Sequence, residues 1–281
     1  MVYSPEREDP GNPDRKVAKI PKVIGGFTDM CLQKGKEVYS IAIETLVPVS
    51  NCRIAEATKL TENIFRCVNI ALVNELKTVY QQMGIDVWEV IEAAKTKPFG
   101  YMPFFPGPGL GGHCIPIDPF YLSWKAKKAG AEARLIELAG EVNNSMPKYV
   151  IGILRKALQS EGKEIKGSKI LIVGIAYKPN IDDDRESPSY ALMELLDLLG
   201  AEIGYFDPFI PEIRPTRKYS HFAGYKSVTW SNEGMSTYDA AIIATAHPTI
   251  DYFQLTAWIG CIVDTRNIIG QPRGDVRMVK A

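Results

Sequence analysis

The chain has 281 residues, of which 46% are hydrophobic, and its 33 Lys and Arg residues balance 33 Asp and Glu residues. This length is enough for two domains, and the balanced charge excludes an overall field that would attract nucleic acid or a membrane surface. No apolar run approaches the roughly 20 residues of a membrane-spanning helix, and the first residues lack the basic and apolar regions of a signal peptide.

The cysteines and histidines indicate where the protein works. Five cysteines are widely spaced, and no two of them form a Cys-x-x-Cys pair. This odd, scattered set argues against a disulfide framework or a zinc site and favours a reducing compartment. Only three histidines are present, none at helical spacing from another, so no metal site is expected. We therefore expect a cytoplasmic protein without a metal.

Residues 1–50 have an α/β pattern that is too small for a complete domain. Short strands are predicted over 22–26 and 46–49, with a helix over about 28–43 between them. The proline-rich loop before them begins as though a strand should precede it. A piece of about fifty residues is below the size at which a core is comfortably stable alone. Residues 1–50 are therefore predicted to be the C-terminal remnant of an α/β domain.

The middle of the chain, residues 51–147, is predicted to be helical. Between 53 and 82 there is no glycine or proline, and apolar residues recur with a helical period. Such a long helix is typical of a spine, and in soluble proteins it often forms a subunit interface. Shorter helices are predicted over 87–94 and 131–143, on either side of a loop rich in glycine and proline.

The last region, residues 148–281, alternates strands with helices. Strands are predicted over 169–177, 202–208, 238–245 and 261–265, and helices over 149–161, 188–199 and 253–259. This alternation predicts a doubly wound parallel sheet. Ligands of such sheets bind beyond the carboxyl ends of the strands. The residues expected there are Tyr177, Lys178, Asp207, His247 and Arg266.

The loop over 107–119 is the strongest candidate for chemistry. Four glycines and three prolines in thirteen residues exclude a helix interior or a central strand. The loop presents Cys114 beside His113, with Asp118 four residues later, which favours a covalent nucleophile. A connector with a buried thiol is the alternative. A Cys114–His113 hydrolase is disfavoured, because adjacent side chains on an extended loop usually point apart.

Three other groups of residues have a pattern that is compatible with a function. Lys59 and Asn63 lie four apart on one helix face and could donate to an oxyanion, although spacing alone favours a solvated face. Lys178 and Arg185 lie on a loop that opens a helix at Ser187 and Pro188 and could hold phosphate, unless this acidic loop is only a solvated turn. An aromatic cluster with Tyr101 and Phe104 could line a pocket, but packing is the commoner role. No Gly-x-Gly-x-x-Gly fingerprint of a dinucleotide site occurs.

Five stretches together resemble a known family. They are Ser4-Pro5-Glu6-Arg7, Glu56-Ala57-x-Lys59-Leu60-x-x-Asn63, the loop over 107–119, Ala176-Tyr177-Lys178 through Arg185-Glu186-Ser187-Pro188, and Val263-Asp264-x-Arg266. In this order they resemble the UDP-glucose/GDP-mannose dehydrogenase family. The stretch over 95–104 is most similar to the bacterial branch that oxidises UDP-N-acetylglucosamine or a close UDP-N-acetylhexosamine.

The resemblance implies NAD-dependent oxidation of a sugar C6 hydroxymethyl to a carboxylate through a cysteine thioester. The implied catalytic residues are Cys114, Lys59, Asn63, Asp118 and Glu6. The implied UDP-sugar contacts are Arg7, Tyr101, Phe104, Gly111, Tyr177, Lys178 and Arg266. Arg185 is the implied contact to NAD, and no lysine contact to NAD is expected at Ile117.

The resemblance also implies an incomplete enzyme. Family members begin with a full dinucleotide-binding domain, and this chain starts near the end of one. We therefore expect a homodimer through the helix near 53–82 that cannot turn over alone. The alternative is an inactive nucleotide-sugar-binding or oligomerisation module.

Overall fold

Most of the predicted elements are present in the computed structural model, which describes residues 1–9, 11–12, 16–270 and 276–281. The strands are β1 (Val2–Tyr3), β2 (Lys22–Gly26), β3 (Leu46–Val49), β4 (Lys169–Val173), β5 (Glu202–Phe206), β6 (Ala240–Ile243), β7 (Cys261–Asp264) and β8 (Arg277–Lys280). The helices are α1 (Asp29–Tyr39), α2 (Cys52–Gln82), α3 (Val87–Ala94), α4 (Asp118–Lys128), α5 (Arg134–Gln159), α6 (Pro188–Leu198), α7 (Asn232–Met235) and α8 (Tyr252–Trp258).

The C-terminal strands form one parallel sheet, in the order β5-β4-β6-β7-β8. The predicted doubly wound sheet is confirmed. The chain leaves β4 to add β5 on one side and β6 on the other, so the direction of winding reverses between β4 and β6. A ligand crevice is expected at this reversal, beyond the carboxyl ends of the strands. The fifth strand, β8, was not predicted.

A smaller sheet lies at the N-terminal end of the described chain. Its order is β1-β2-β3, with β1 antiparallel and β3 parallel to β2. The predicted strands β2 and β3 are confirmed, and the two-residue β1 is an addition. Asn51 then caps α2, because its side chain accepts a hydrogen bond from the Ile54 N–H at 3.0 Å. The predicted spine helix is confirmed as α2.

The helix α5 corrects the predicted break at Pro147. One helix runs from Arg134 to Gln159 with Pro147 inside it, whereas the sequence predicted two separate helices, over 131–143 and 149–161. Proline has no N–H, so the Asn143 carbonyl loses its helical partner there. The helix continues because an apolar face on both sides of the proline is buried, which outweighs the local break. Members of this face include Met146, Val150 and Leu154.

The end of the cysteine loop also differs from the prediction. Asp118 and Pro119 lie in the first turn of α4, which the sequence did not predict. Proline is tolerated at this position, because the first helical N–H groups have no partner within the helix.

The strand β4 ends earlier than predicted, at Val173. Gly174 follows with φ +91°, a conformation that glycine adopts readily. The main core lies between this sheet, α5 and α6, and it includes Leu154, Ile170 and Leu196. The loops that follow β4, β6 and β7 therefore project together from one edge of a well-packed sheet.

Candidate active site

Cys114 lies on the surface immediately before α4. Its residue is exposed and its thiol is free. Its backbone carbonyl accepts hydrogen bonds from the N–H groups of Asp118 at 2.8 Å and Ile117 at 3.3 Å. The thiol is therefore carried on the turn that begins the helix, with Asp118 one turn further on. This geometry contradicts a buried structural thiol.

The glycines of the cysteine loop let two side chains of the C-terminal domain approach the backbone. A β-carbon on Gly107 would lie 2.5 Å from the Arg266 guanidinium, and one on Gly112 would lie 2.9 Å from the Tyr177 ring. Real β-carbons do not approach other atoms this closely. A β-carbon on Gly111 would lie even closer to Tyr177, at 2.6 Å from the tyrosine's own β-carbon. The glycines thus allow the loop to pack directly on residues predicted to contact the UDP-sugar.

A buried amide pair holds the start of this loop. The Asn74 side chain donates to the Asn143 side-chain oxygen at 2.9 Å, and its own oxygen accepts the Gly107 N–H at 2.9 Å. Asn143 also donates to the Cys67 carbonyl at 3.1 Å. Sequence reasoning missed both residues, although an asparagine in the middle of an apolar helix face is a signal for such a partner.

Two of the predicted catalytic residues meet directly. The Asn63 side-chain amide donates to the Asp118 carboxylate at 2.6 Å. The Asn63 oxygen accepts a hydrogen bond from Arg66, one turn along α2. Because that oxygen is occupied, the amide group is turned towards Asp118. No sequence pattern singles out Arg66.

Lys59 is partly buried on α2, four residues before Asn63. Among the residues with described coordinates, its ammonium makes no ion pair. An unneutralised ammonium is suited to stabilise a developing oxyanion. The oxyanion role of Lys59 stays a prediction.

The loop between β4 and α6 contacts the cysteine loop. The Gly112 N–H donates to the Arg185 carbonyl at 3.0 Å. Ser187 caps α6 as predicted, since its side chain accepts the Ser189 N–H. The thiol also lies near enough to Tyr177 and Arg185 to act electrostatically on both. Burial and the Asp183 carboxylate raise the pKa of the Tyr177 hydroxyl.

Arg185 is exposed and already has a partner. Its Nε donates to both oxygens of Asp183, at 2.9 and 3.0 Å. This pairing raises the pKa of the Arg185 guanidinium. The Asp183 carboxylate therefore neutralises the cation expected to reach NAD, and a phosphate would have to compete with it.

Glu6 and Arg7 are held by other elements of the fold. Arg7 pairs with Glu62 on α2 at 2.6 Å, whereas Glu6 pairs with Lys22 at 3.3 Å. Partial burial would raise the pKa of the Glu6 carboxyl, but the Arg7 N–H and the Lys22 ammonium hold it below its ordinary value. Arg7 thus lies beside the residue that precedes Asn63. No hydrogen bond or ion pair joins Glu6 to Cys114 in the described part of the chain.

The other residues predicted to contact the UDP-sugar have different neighbours. Arg266 donates through Nε to the Ala244 carbonyl at 2.7 Å, and burial lowers its pKa to about 10. Lys178 pairs with Asp9. Phe104 packs edge to face on Phe65 at 5.6 Å, with Tyr101 exposed nearby in sequence.

Two residues expected at the carboxyl edge of the sheet form a buried pair that no sequence pattern predicted. His247 Nε2 lies 3.1 Å from the Asp207 carboxylate, and both side chains are fully buried. Burial alone would raise the pKa of the Asp207 carboxyl, but hydrogen bonds from His247 and from backbone N–H groups hold it below its ordinary value. Both residues follow strands, which was the available signal.

The described residues do not fit a complete NAD site. The small sheet lacks a glycine-rich phosphate turn, and the one implied contact, Arg185, is bonded to Asp183. Within the described ranges, no cluster of three or more His, Cys, Asp or Glu residues could hold a metal ion. The described helices include none that is both long and apolar enough to cross a membrane.

Two family descriptions match this chain. Residues 53–145 match the central domain of the UDP-glucose/GDP-mannose dehydrogenase family, and residues 171–271 match its UDP-binding domain. The chain belongs to the UDP-glucose/GDP-mannose dehydrogenase family. The central-domain match contains Cys114 and Asn63, and the second match contains Tyr177 and Arg266.

Curated relatives align with most of this chain. UDP-N-acetyl-D-mannosamine dehydrogenase of Escherichia coli K12 is 42% identical over 200 residues, which are 70% of this chain and 47% of the relative. UDP-N-acetyl-D-glucosamine 6-dehydrogenase of Pseudomonas aeruginosa is 35% identical over 87% of this chain and 56% of the relative. The chain thus spans about half the length of the curated relatives it matches.

Solved structures agree with this assignment. UDP-D-ManNAc dehydrogenase from Pyrococcus horikoshii superposes with a TM-score of 0.85 at 29% identity. The superposition covers 99% of this chain and 64% of that chain. The predicted family and the Rossmann-like fold class are therefore confirmed.

Proposed function

We propose that this chain forms the UDP-sugar-binding and thiol-bearing part of an NAD-dependent nucleotide-sugar 6-dehydrogenase. The observation that carries the proposal is the exposed thiol of Cys114 on a loop packed against the loop between β4 and α6. The first loop lies in the central-domain match and the second in the UDP-binding match. A bound UDP-sugar could then reach a nucleophile at their junction.

Cys114 is the proposed nucleophile. Its thiolate adds to the C6 aldehyde of the sugar and forms a hemithioacetal, which becomes a thioester when it is oxidised. Water then hydrolyses the thioester, releasing the carboxylate and restoring the thiol. The two oxidations draw on NAD, whereas capture of the aldehyde and hydrolysis need only side chains of this chain.

Four further side chains have proposed roles around the thiol. Lys59 and Asn63 stabilise the oxyanion of the hemithioacetal, since an ammonium and an amide N–H both favour negative charge. The amide of Asn63 has two N–H donors, so the bond to Asp118 leaves one for the substrate. Asp118 exchanges protons with the substrate, and Glu6 serves the hydrolysis of the thioester.

The nucleotide is proposed to lie at the carboxyl edge of the large sheet. The proposed contacts to the UDP-sugar are Arg7, Tyr101, Phe104, Gly111, Tyr177, Lys178 and Arg266. Their support is the position of the last three at the strand ends, where parallel sheets bind ligands. Arg185 is the proposed contact to NAD, which a further dinucleotide-binding domain would hold.

The sugar is proposed to be an N-acetylhexosamine. Sequence resemblance over 95–104 favours UDP-N-acetylglucosamine, whereas the 42% identical relative is named for UDP-N-acetyl-D-mannosamine. We propose both as substrates to be compared, with UDP-N-acetylglucosamine tested first.

The organisation of the protein is proposed on similar grounds. We propose three units over 1–50, 51–147 and 148–281, although the second limit falls inside α5. We also propose a homodimer through α2, whose exposed apolar residues include Phe65 and Leu72. The five free thiols favour the cytoplasm.

Two other functions compete with this proposal. An inactive binding module would bind UDP-sugar without oxidising it. A cysteine hydrolase would need His113 as the base of Cys114, but no hydrogen bond joins these side chains among the described residues. His113 instead lies near Asp183. Burial would raise the pKa of the Asp183 carboxyl, but hydrogen bonds from Arg185 and, to a smaller extent, the nearby His113 hold it below its ordinary value.

The test combines this chain with the dinucleotide-binding domain of the Escherichia coli relative, supplied as a separate polypeptide. NADH formation is followed by absorbance with each UDP-N-acetylhexosamine, and UDP binding by calorimetry. NADH formation that requires both polypeptides and is lost in Cys114→Ala supports the proposal. UDP binding without NADH formation favours the binding module, and turnover without NAD that is lost in His113→Ala favours the hydrolase.

A further inference from the structure

The segment 175–180, which carries Tyr177 and Lys178, is fixed from beneath by two buried side chains. They come from the ends of the two strands that flank β4. Asp207 follows β5, and His247 follows β6. Both are fully buried. We call these two residues the Asp207–His247 bridge.

Asp207 holds the beginning of the segment. One carboxylate oxygen accepts the N–H groups of Ile175 at 2.7 Å and Ala176 at 2.9 Å. The other oxygen accepts the N–H groups of Phe209 and Ile210. Four backbone donors around one buried carboxylate fix its position, because each charged hydrogen bond is short and strong in a buried setting.

His247 holds the end of the segment. Its Nδ1 accepts the Asn180 N–H at 3.2 Å, and its Nε2 contacts the Asp207 carboxylate at 3.1 Å. Because Nδ1 accepts, the ring proton of the neutral imidazole is on Nε2, where it is donated to Asp207. Asn180 has φ +64°, which is uncommon for a residue with a side chain. This bond therefore helps to hold a left-handed backbone conformation, which asparagine adopts more readily than most residues with a side chain.

We propose that His247 is a positioning residue for UDP binding, which acts by fixing the backbone of Tyr177 and Lys178 through its bond to Asn180. The proposal rests on the proposed function, since it assumes that these two residues contact UDP. Neither bridge residue reaches the ligand itself. Each acts through the segment that it holds.

Fixing this segment before the ligand arrives favours binding. A loop that is already in its bound conformation loses less conformational entropy when the ligand binds. The bridge is buried beneath the loop, so its two side chains do not compete with the ligand for Tyr177 and Lys178. A substitution at His247 should therefore weaken UDP binding in addition to lowering stability.

Two substitutions of His247 separate the two bonds. In His247→Asn, the side-chain oxygen replaces Nδ1 as acceptor for Asn180, but the contact with Asp207 is lost. In His247→Gln, the longer amide replaces Nε2 as donor to Asp207, but the acceptor for Asn180 is lost. His221, which is exposed, provides the control substitution His221→Gln.

The experiment measures UDP affinity by calorimetry and unfolding by urea. We expect His247→Gln to weaken UDP binding about tenfold and His247→Asn to stay within about threefold of the unsubstituted chain, although both unfold at lower urea. In a Lys178→Met background, His247→Gln should weaken binding less than about threefold, because Lys178 is no longer there to be positioned. Equal losses of affinity in both His247 variants, or the same tenfold loss in the Lys178→Met background, would overturn the proposal.

A second measurement does not depend on any variant folding. Amide hydrogen exchange of the unsubstituted chain should show slow exchange in peptides that cover 177–182, even without UDP. Fast exchange there would overturn the proposal while leaving UDP binding intact. Failure of the unsubstituted chain to bind UDP would overturn both this proposal and the proposed function, and slow exchange would then show only a structural bridge.

Discussion

The ring of Tyr177 lies against Gly112 so closely that a β-carbon on the glycine would be 2.9 Å from the ring. This contact joins the loop that carries the thiol to the loop proposed to hold the nucleotide. Gly112 also has φ +80°, a conformation that residues with side chains adopt only with strain. The glycine is thus required both for space and for backbone conformation.

Substitution of Gly112 by alanine should separate the two loops. We expect Gly112→Ala to lower the free energy of unfolding by about 1–3 kcal/mol, through backbone strain and the clash with Tyr177. UDP affinity, measured by calorimetry, should fall at least tenfold because Tyr177 must move. Gly152→Ala is the control, since its β-carbon meets nothing within 4 Å. Because Gly152 lies inside α5, this control should raise the free energy of unfolding by about 0.5–1 kcal/mol. Unchanged unfolding and UDP affinity in Gly112→Ala would contradict the role given to this contact.

The amide pair beneath the cysteine loop should matter for stability. Asn143→Ala removes the acceptor for Asn74, so we expect a loss of about 1–3 kcal/mol in the free energy of unfolding. Urea denaturation measures the change, and alkylation of Cys114 shows whether the loop has loosened. The neighbouring Asn144 is exposed on the same helix, so Asn144→Ala should change stability little. A similar effect of the two substitutions would show that the buried amide pair is dispensable.

Asp207 should make the stability of the protein depend on pH. Because its folded pKa is held below the ordinary value, its contribution is present above the unfolded pKa of about 3.9. The contribution is lost as the pH falls through the folded pKa. Asp207→Asn should cost about 3 kcal/mol at neutral pH and progressively less below about pH 4. Urea unfolding across this range measures the difference, with the exposed Asp197→Asn as control. If the loss of stability in Asp207→Asn stayed constant down to acid pH, this result would contradict the prediction that the Asp207 carboxylate is ionised in the folded protein.

The proposed dimer is tested on the exposed face of α2. Leu72 is 51% exposed. Phe65 and Val79 lie two helical turns before and after it, and they are 46% and 44% exposed. We expect Leu72→Arg to weaken self-association at least tenfold in sedimentation equilibrium, because a charge would be buried between helices. Val38→Arg on α1 is the control, since Val38 is also exposed, at 65%. Equal effects of both substitutions would indicate nonspecific association, and no effect of Leu72→Arg would exclude this face.

Much of the fold could be predicted because the local signals agree with the global packing. The strands β2 and β3 and the helix α3 begin and end where their patterns predict. The predicted break between two helices at Pro147 was wrong, because burial of the α5 face outweighs the local effect of proline. The strand β4 was predicted too long because the apolar run continues into a segment that hydrogen-bonds to Asp207.

The candidate site was predictable only where its residues follow a sequence pattern. Cys114 stands out because the glycines and prolines around it exclude regular structure. Asn74 and Asn143 give only the signal of a polar residue on an apolar helix face, because their bonds join distant parts of α2, α5 and the loop. Spacing alone could not show that Asn63 would meet Asp118, 55 residues away, and only family resemblance singled out the pair.

The continuous helix α5 restricts how this molecule can move. The carbonyl of Asn143, which loses its helical partner to Pro147, lies beside Gly109 of the cysteine loop. The same helix then continues into the core of the large sheet. A hinge between the cysteine loop and the large sheet would therefore have to bend or break this helix. We expect the cysteine loop and the large sheet to move as one rigid body, so that substrate enters and leaves without a change in the distance between them.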